Sequence, residues 1–304
     1  MRRFIKNILL FIIPLILILF SGLVLPPTPR ASESLLFANI RKDSLLLHTN
    51  KPRIIFVGGS NLSFGLNSYM IRDSLSLNPI NTAVHGNIGV KYYLENTLQY
   101  IQNGDFVVIA FEYNHFFQPY DYVSDELLRT IVDVCPGNYQ FLSFQQIMDL
   151  LLHYVPKFSL TKFKPTEYFG YEEHDIYSVN SFNIFGDVDA HWTMEDRGYW
   201  PTELKGEVKM QVFDKLKEFE NKCIQKGAQV YISFTSLDEV SFNNSKDHIT
   251  MVENFLKEYR FNILGNAERY AFPPEMIFNG DYHLNKKGLD HRTQLFIEDF
   301  QNRE

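Results

Sequence analysis

The sequence predicts one α/β/α domain, a parallel sheet with helices on both faces, behind a single N-terminal membrane helix. Two observations carry that expectation. Short apolar runs alternate with segments of helical periodicity from residue 53 to the C-terminus, the rhythm of strand–helix–strand units. Before them, Ile8 to Leu25 (ILLFIIPLILILFSGLVL) runs 18 residues without a charge. The bulk composition is ordinary for a folded protein: of 304 residues, 45% are hydrophobic and 21% charged. Those fractions exclude a disordered, collagen-like or multi-span membrane chain. A net charge of −7 argues against a nucleic-acid partner, which needs a basic face. Two cysteines, Cys135 and Cys223, exclude a disulfide framework and leave room for one bridge.

The apolar run would be ~27 Å long as a helix, close to the hydrocarbon thickness of a bilayer. Arg2, Arg3 and Lys6 precede it, and Pro26-Pro27 ends it. The positive-inside rule therefore places residues 1–7 in the cytoplasm and the domain on the far side, periplasmic or at the cell surface. A cleaved signal peptide is the rival reading. The run exceeds a usual signal core, and no clean A-x-A site follows it. Both readings export the domain. Residues 26–50 read as a linker and a short amphipathic helix from Ser34 to Leu47.

The domain, residues 51–304, begins with Arg53 to Val57 (RIIFV), a β-rich run stopped by Gly58-Gly59. Ile80 to Val84 is the second candidate strand. Val90, Tyr93, Leu94, Leu98 and Ile101 have the spacing of one helix face. Asp105 to Phe111 (DFVVIAF) is the continuous apolar run required of a strand covered on both faces. Glu207 to Lys226 is helical and stops at Gly227; Ala228 to Phe234 is a strand; Lys246 to Tyr259 is helical; Phe261 to Leu264 is a fifth candidate strand. Asn285 caps a last helix to about Phe300, with Leu289, Thr293, Phe296 and Phe300 inward. Residues 115–205 break the rhythm. They read as an insertion over one sheet edge, with helices at Ser124 to Val134 and Ser143 to Leu152.

Ligands of open parallel sheets bind beyond the carboxyl ends of the strands, and polar clusters stand at four such ends. Gly58-Gly59-Ser60-Asn61 follows the first strand. Ser60 there is either a nucleophile at a helix N-terminus, where backbone N–H groups stabilise an oxyanion, or a simple helix cap. Gly86, in His85-Gly86-Asn87, either offers an N–H to an oxyanion or is a turn glycine. Glu112, in Glu112-Tyr113-Asn114-His115, is either a site-edge residue, as is Asn61, or a solvated strand end. His283 precedes the last helix in Asp281-Tyr282-His283-Leu284-Asn285. A histidine there is more often structural; paired with Asp281 at the same edge as Ser60, it becomes a candidate general base.

Taken together, these residues resemble the SGNH (GDSL-like) hydrolase family. IIFVGGSNLSFG (residues 54–65) looks like its first block, with Ser60 as nucleophile, and NTAVHG (81–86) like its second, with Gly86 as an oxyanion donor. YHLNKKG looks like the last block, giving His283 the role of base. The closest variant is the membrane-anchored, extracytoplasmic set associated with bacterial surface polysaccharide, which ends in YHLN followed by an Arg-Thr pair, here Arg292-Thr293. The resemblance implies a flavodoxin-like three-layer fold and a Ser–His–Asp acyl-enzyme mechanism. Two departures stand out. The family's last block has Asp three residues before His, where this chain has Gly280, and Asp281 lies only two before. Its third block presents an oxyanion-hole Asn, for which only Asn114 is available.

The function expected is an extracytoplasmic esterase or O-acyltransferase acting on an acylated glycan or a small ester. It would need no cofactor or metal: His174 and His191 are too loosely spaced to be ligands. The membrane, through the N-terminal helix, and a multi-span acyl-donor protein are the expected partners; nucleic acid is not. Tyr168, Tyr171, Trp192 and Trp200 are candidates for stacking on sugar rings, or ordinary insertion core. The alternative is a catalytically inactive glycan-binding or polysaccharide-assembly protein of the same fold. A flavodoxin-like nucleotide binder is weaker, since GGSNLSFG lacks a phosphate-loop lysine.

Overall fold

The computed structural model describes residues 1–303 and shows an α/β chain with a four-stranded parallel sheet and one N-terminal apolar helix. The strands are β1 (Arg53–Gly58), β2 (Asn78–Asn81), β3 (Phe106–Ala110) and β4 (Gln229–Ile232). Their order is β2-β1-β3-β4, all parallel. β1 and β3 are central, and period-two alternation sends their apolar residues to opposite faces. Ile55, Val57, Val107 and Ile109 join the core beneath the helices Val90–Tyr100 and Met210–Gln225. Ile54, Phe56, Val108 and Ala110 pack with Ile71, Phe296 and Phe300 of the helices Ser68–Leu75 and Lys286–Gln301. Fully burying one such side chain contributes about 1.5–3 kcal/mol.

At the amino ends of β1 and β3, Arg53 and Asp105 form a bidentate ion pair, both fully buried. Arg53 also donates to the carbonyls of Leu46 (2.6 Å) and Tyr100 (3.0 Å). Four of the five guanidinium N–H groups thus have acceptors, and Asp105 Oδ2 also accepts from Gln102 N–H at 2.8 Å, the extra hydrogen bonding a buried charge pair requires.

Two strands differ from expectation. β2 ends at Asn81 instead of Val84. Beyond it Thr82 donates through N–H and Oγ1 to Phe56 O, and the N–H groups of Val84 and His85 donate to the Tyr93 hydroxyl. A side chain thus replaces the ladder. The expected fifth strand shrinks to a parallel bridge between Ile263 and Ile232, after which Gly265 turns the chain at φ +70°. Residues 26–48 are folded onto the domain. Lys42, on the helix Ala38–His48, is buried and donates to the carbonyls of Asn81, Ala83 and Gly186.

In the insertion, Ser124 caps the helix Asp125–Arg129, and Ser143 with Gln146 forms a capping box on the helix Phe144–Asp149. Both run on into wider π turns, and a third helix follows at Val155–Thr161. That third helix packs against the carboxyl end of the apolar helix Arg2–Phe20 and its continuation to Leu23. Gly22 N–H donates to Ser159 Oγ at 2.9 Å, and a Cβ at Gly22 would lie 2.6 Å from that oxygen. Lys162 donates to the carbonyls of Leu25 (2.7 Å) and Pro26 (3.1 Å) and to Asp133 (2.7 Å). The apolar helix is long and apolar enough to cross a membrane. Cys135 and Cys223 are free thiols.

Candidate active site

Ser60 stands at the carboxyl end of β1 and opens a single helical turn, Ser60–Ser63. The two glycines before it are required by close approach. A Cβ at Gly58 would meet Ala110 O, and one at Gly59 would collide with the Glu112 carboxylate. The turn is locked from below: Asn61 is buried and its amide donates to Ala110 O at 3.0 Å. The Arg292-Thr293 pair clamps the chain that follows. Arg292 donates to Gly65 O (3.0 Å) and Phe234 O (3.3 Å), and Thr293 Oγ1 accepts from Asn67 N–H (2.9 Å). Arg292 is 2% exposed, and burial pushes its guanidinium down to about 10.

Glu112 is not a solvated strand end: it is buried against the Ser60 turn. Its Oε1 accepts from Asn61 N–H (3.1 Å) and from Ser60 Oγ (3.4 Å). A Cβ at Gly86 would lie 3.1 Å from its Oε2. The carboxylate therefore sits between the Ser60 turn and Gly86, where an oxyanion was expected. His115 Nδ1 is 3.1 Å from Oε2 and 3.2 Å from Glu112 O, while Nε2 is 2.9 Å from Gly86 O. Both ring nitrogens face only acceptors, so the ring carries both protons. Burial works to raise the Glu112 carboxyl, but the His115 hydrogen bond and charge, with Asn61 N–H, outweigh it and hold the acid below the usual range. For His115 burial works downward, and Glu112 with the Gly86 carbonyl outweighs it and raises the imidazolium.

His283 comes to the same edge from outside the main sheet. Its strand, His283–Leu284, lies against the Ser60–Ser63 turn and pairs antiparallel with Ile277–Asn279. The ring stacks on Phe64 with centroids 4.2 Å apart. Nδ1 meets Asn279 Oδ1 at 2.7 Å, and Asn279 Nδ2 donates to the Tyr177 hydroxyl at 2.8 Å. With the amide oxygen placed toward the ring, Nδ1 carries the proton and Nε2 the lone pair. Burial lowers the imidazole to about 3, so it is neutral at ordinary pH. Ser60 Oγ donates to Glu112 and not to Nε2.

Asp281, expected to orient His283, does not do so. The hairpin register sets Asn279 opposite His283, and Gly280, at φ +67°, puts Asp281 at the tip. Its carboxylate accepts from Thr202 Oγ1 at 2.6 Å, and burial raises it. Asn114 lies in the helical turn after Glu112, and its Oδ1 is buried without a partner. Gly86 presents its carbonyl to His115 and its Cα to Glu112.

Two polar cavities share Tyr177, the hydrogen-bond partner of Asn279. One of about 350 Å³ is lined by His85, Arg129, Asp125 and Glu126; another of about 560 Å³ by Arg30, Glu172 and His174; Ser34 and Tyr177 line both. Of the aromatic candidates, Tyr168 donates to Lys162 O and Trp192 packs edge-on to Tyr69, while Trp200 is exposed. Among the described residues no group of three or more His, Cys, Asp or Glu side chains is placed to hold a metal ion.

Sequence reasoning missed Asn279, Tyr177 and His115. For His115 a signal existed, since Glu112 and His115 are three apart after a buried strand. No protein-family model matches the chain, and no curated protein matches it.

Proposed function

We propose that this protein is a membrane-anchored serine acyl-transfer enzyme of the SGNH type, an esterase or O-acyltransferase working outside the cytoplasm on an acylated glycan. One observation carries the reading: Ser60 and a neutral His283 with Nε2 unprotonated stand on adjoining elements at the carboxyl edge of one parallel sheet. The order β2-β1-β3-β4 agrees with the flavodoxin-like winding of that family. The polar cavities meeting at Tyr177 suit sugar hydroxyls.

Ser60 Oγ attacks the acyl carbon, and its proton passes to His283 Nε2. The C–O bond to the leaving group breaks, and that alkoxide takes the proton back, leaving Ser60 acylated. Water or a sugar hydroxyl then gives its proton to Nε2 and attacks the acyl carbon; the bond from the acyl carbon to Ser60 Oγ breaks, and Oγ takes the proton back from Nε2. Nδ1–H donation to Asn279 holds the ring in the tautomer this requires. The Ser60 hydroxyl leaves Glu112 when substrate enters, because it must turn to Nε2.

A second reading, a non-catalytic glycan-binding or assembly protein of this fold, is favoured by Glu112. An ionised carboxylate in the expected oxyanion niche opposes the very charge a tetrahedral intermediate develops. A serine-directed fluorophosphonate separates the two. Labelling confined to Ser60, lost in Ser60→Ala and at least tenfold faster in Glu112→Gln, is expected for the enzyme. Absence of label from both wild type and Glu112→Gln, with each folded by thermal melting, would select the binding protein.

A further inference from the structure

We infer that the insertion is seated in the membrane surface and that its apolar cavity takes the acyl chain of a bilayer lipid. This rests on reading the N-terminal helix as a membrane anchor. The cavity holds about 410 Å³, within the ~300–1,000 Å³ of small-ligand sites. Its walls are apolar apart from the Tyr139 hydroxyl: Leu128, Ile131, Ile147, Leu151 and Val155 from the insertion, and Leu23 from the end of the apolar helix. The site is therefore continuous with the segment that enters the bilayer.

The way the insertion covers the end of that segment supplies the second argument. Leu19 to Gly22 are partly or fully covered by the insertion, whereas Phe4 to Ile18 are exposed. The whole span Arg2–Leu23 has 22 residues, about 33 Å as a helix, against a hydrocarbon core of ~30 Å. With that span seated in the core, the covered turn Leu19 to Gly22 lies at the membrane boundary, which calls for apolar surface on whatever packs there. The insertion offers such surface. Phe144 is 77% exposed and Phe163 55%, with Leu152, Leu160 and Phe169 also exposed. Leu160 and Phe163 flank Lys162, which holds the carbonyls of Leu25 and Pro26. Leu160 and Phe163 therefore stand where the anchor ends, and Leu23 and Tyr139, which line the cavity, are themselves exposed. A lipid chain, being already there at high local concentration, is the occupant that fits. The helix Asp125–Arg129 then divides two compartments: Leu128 lines the lipid cavity, while Asp125 and Arg129 line a polar cavity with Tyr177.

The test uses the full chain in nanodiscs of phosphatidylcholine, a minor fraction of which carries a diazirine within an acyl chain. After irradiation, adducts are mapped by peptide mass spectrometry. Label on Ile147, Leu150 or Leu151 as well as on Phe4 to Ile18 is the expected result. The filled variant Val132→Phe/Ile147→Phe should lose at least fivefold of the cavity label and keep the anchor label. Label on the anchor alone, or cavity residues of two copies joined to each other, overturns the proposal and leaves the anchor standing. Absence of label from both regions overturns the anchor reading as well.

Discussion

The two sides of the candidate site are built differently. The Ser60 side grows from β1 in the centre of the sheet, above the Arg53–Asp105 pair, and is clamped by Asn61, Arg292 and Thr293. The His283 side hangs on a short hairpin outside that sheet, held by stacking on Phe64 and an amide. The charges are distributed in the opposite sense to a serine triad. The carboxylate lies against the serine and is neutralised by His115, while the imidazole has only the neutral Asn279. Ser60 is thus rigidly held, whereas burial weakens His283 as a base and the Glu112 charge only partly offsets that, and altering the His283 side should change the chemistry without changing the fold.

The largest effect expected falls on the histidine itself. His283→Ala should lower turnover of a p-nitrophenyl acetate probe by on the order of 10⁴-fold, with little change in substrate KM. On the other side of the comparison the loss is one of stability. Arg53→Met leaves Asp105 buried without its partner and should cost about 3–5 kcal/mol, read by chemical denaturation. Retention of full stability would show that the pair does not hold the strand beneath Ser60. Asn279 gives a sharper probe of the hairpin. Asn279→Ala should lower kcat severalfold, the effect of about one hydrogen bond near 1 kcal/mol. Asn279→Asp sets a negative charge beside the ring and should move the acidic limb of the kcat/KM profile upward by about 1–3 pH units. An unmoved limb would mean that His283 is not the titrating base.

A separate effect is expected on stability against pH. Histidines of an unfolded chain take up protons near pH ~6.5, whereas His283 and the buried His191 resist until about 3 and about 4. Between those values the unfolded state binds more protons, so stability should fall as pH falls from ~6.5 toward 4. His191→Gln should flatten part of that slope in thermal melts.

How far the sequence discloses this arrangement differs between the two sides for the same reason. β1 and β3 are visible because continuous apolar runs such as RIIFV and DFVVIAF have few structural alternatives. Ser60 follows from where β1 ends. The Arg292-Thr293 pair is visible as a motif, but its task, clamping Gly65 and Asn67 from more than 200 residues away, is not. The partner of His283 depends on hairpin register and on a left-handed Gly280, neither of which spacing reveals. Counting back from His283 suggests Asp281; pairing across the turn selects Asn279. Glu112 was ambiguous because its burial depends on the Ser60 turn and His115 folding over it. The packing of Ser159 on Gly22 lies likewise beyond local pattern.

The most direct measurement is the mass of the intact protein after brief incubation with p-nitrophenyl acetate and acid quenching. A covalent adduct of one acetyl group, mapped to Ser60 and absent from Ser60→Ala, is expected. It should form in Asn279→Asp at least as fast as in wild type. Release of p-nitrophenol without an adduct, or an adduct that persists in Ser60→Ala, would contradict a Ser60 acyl-enzyme.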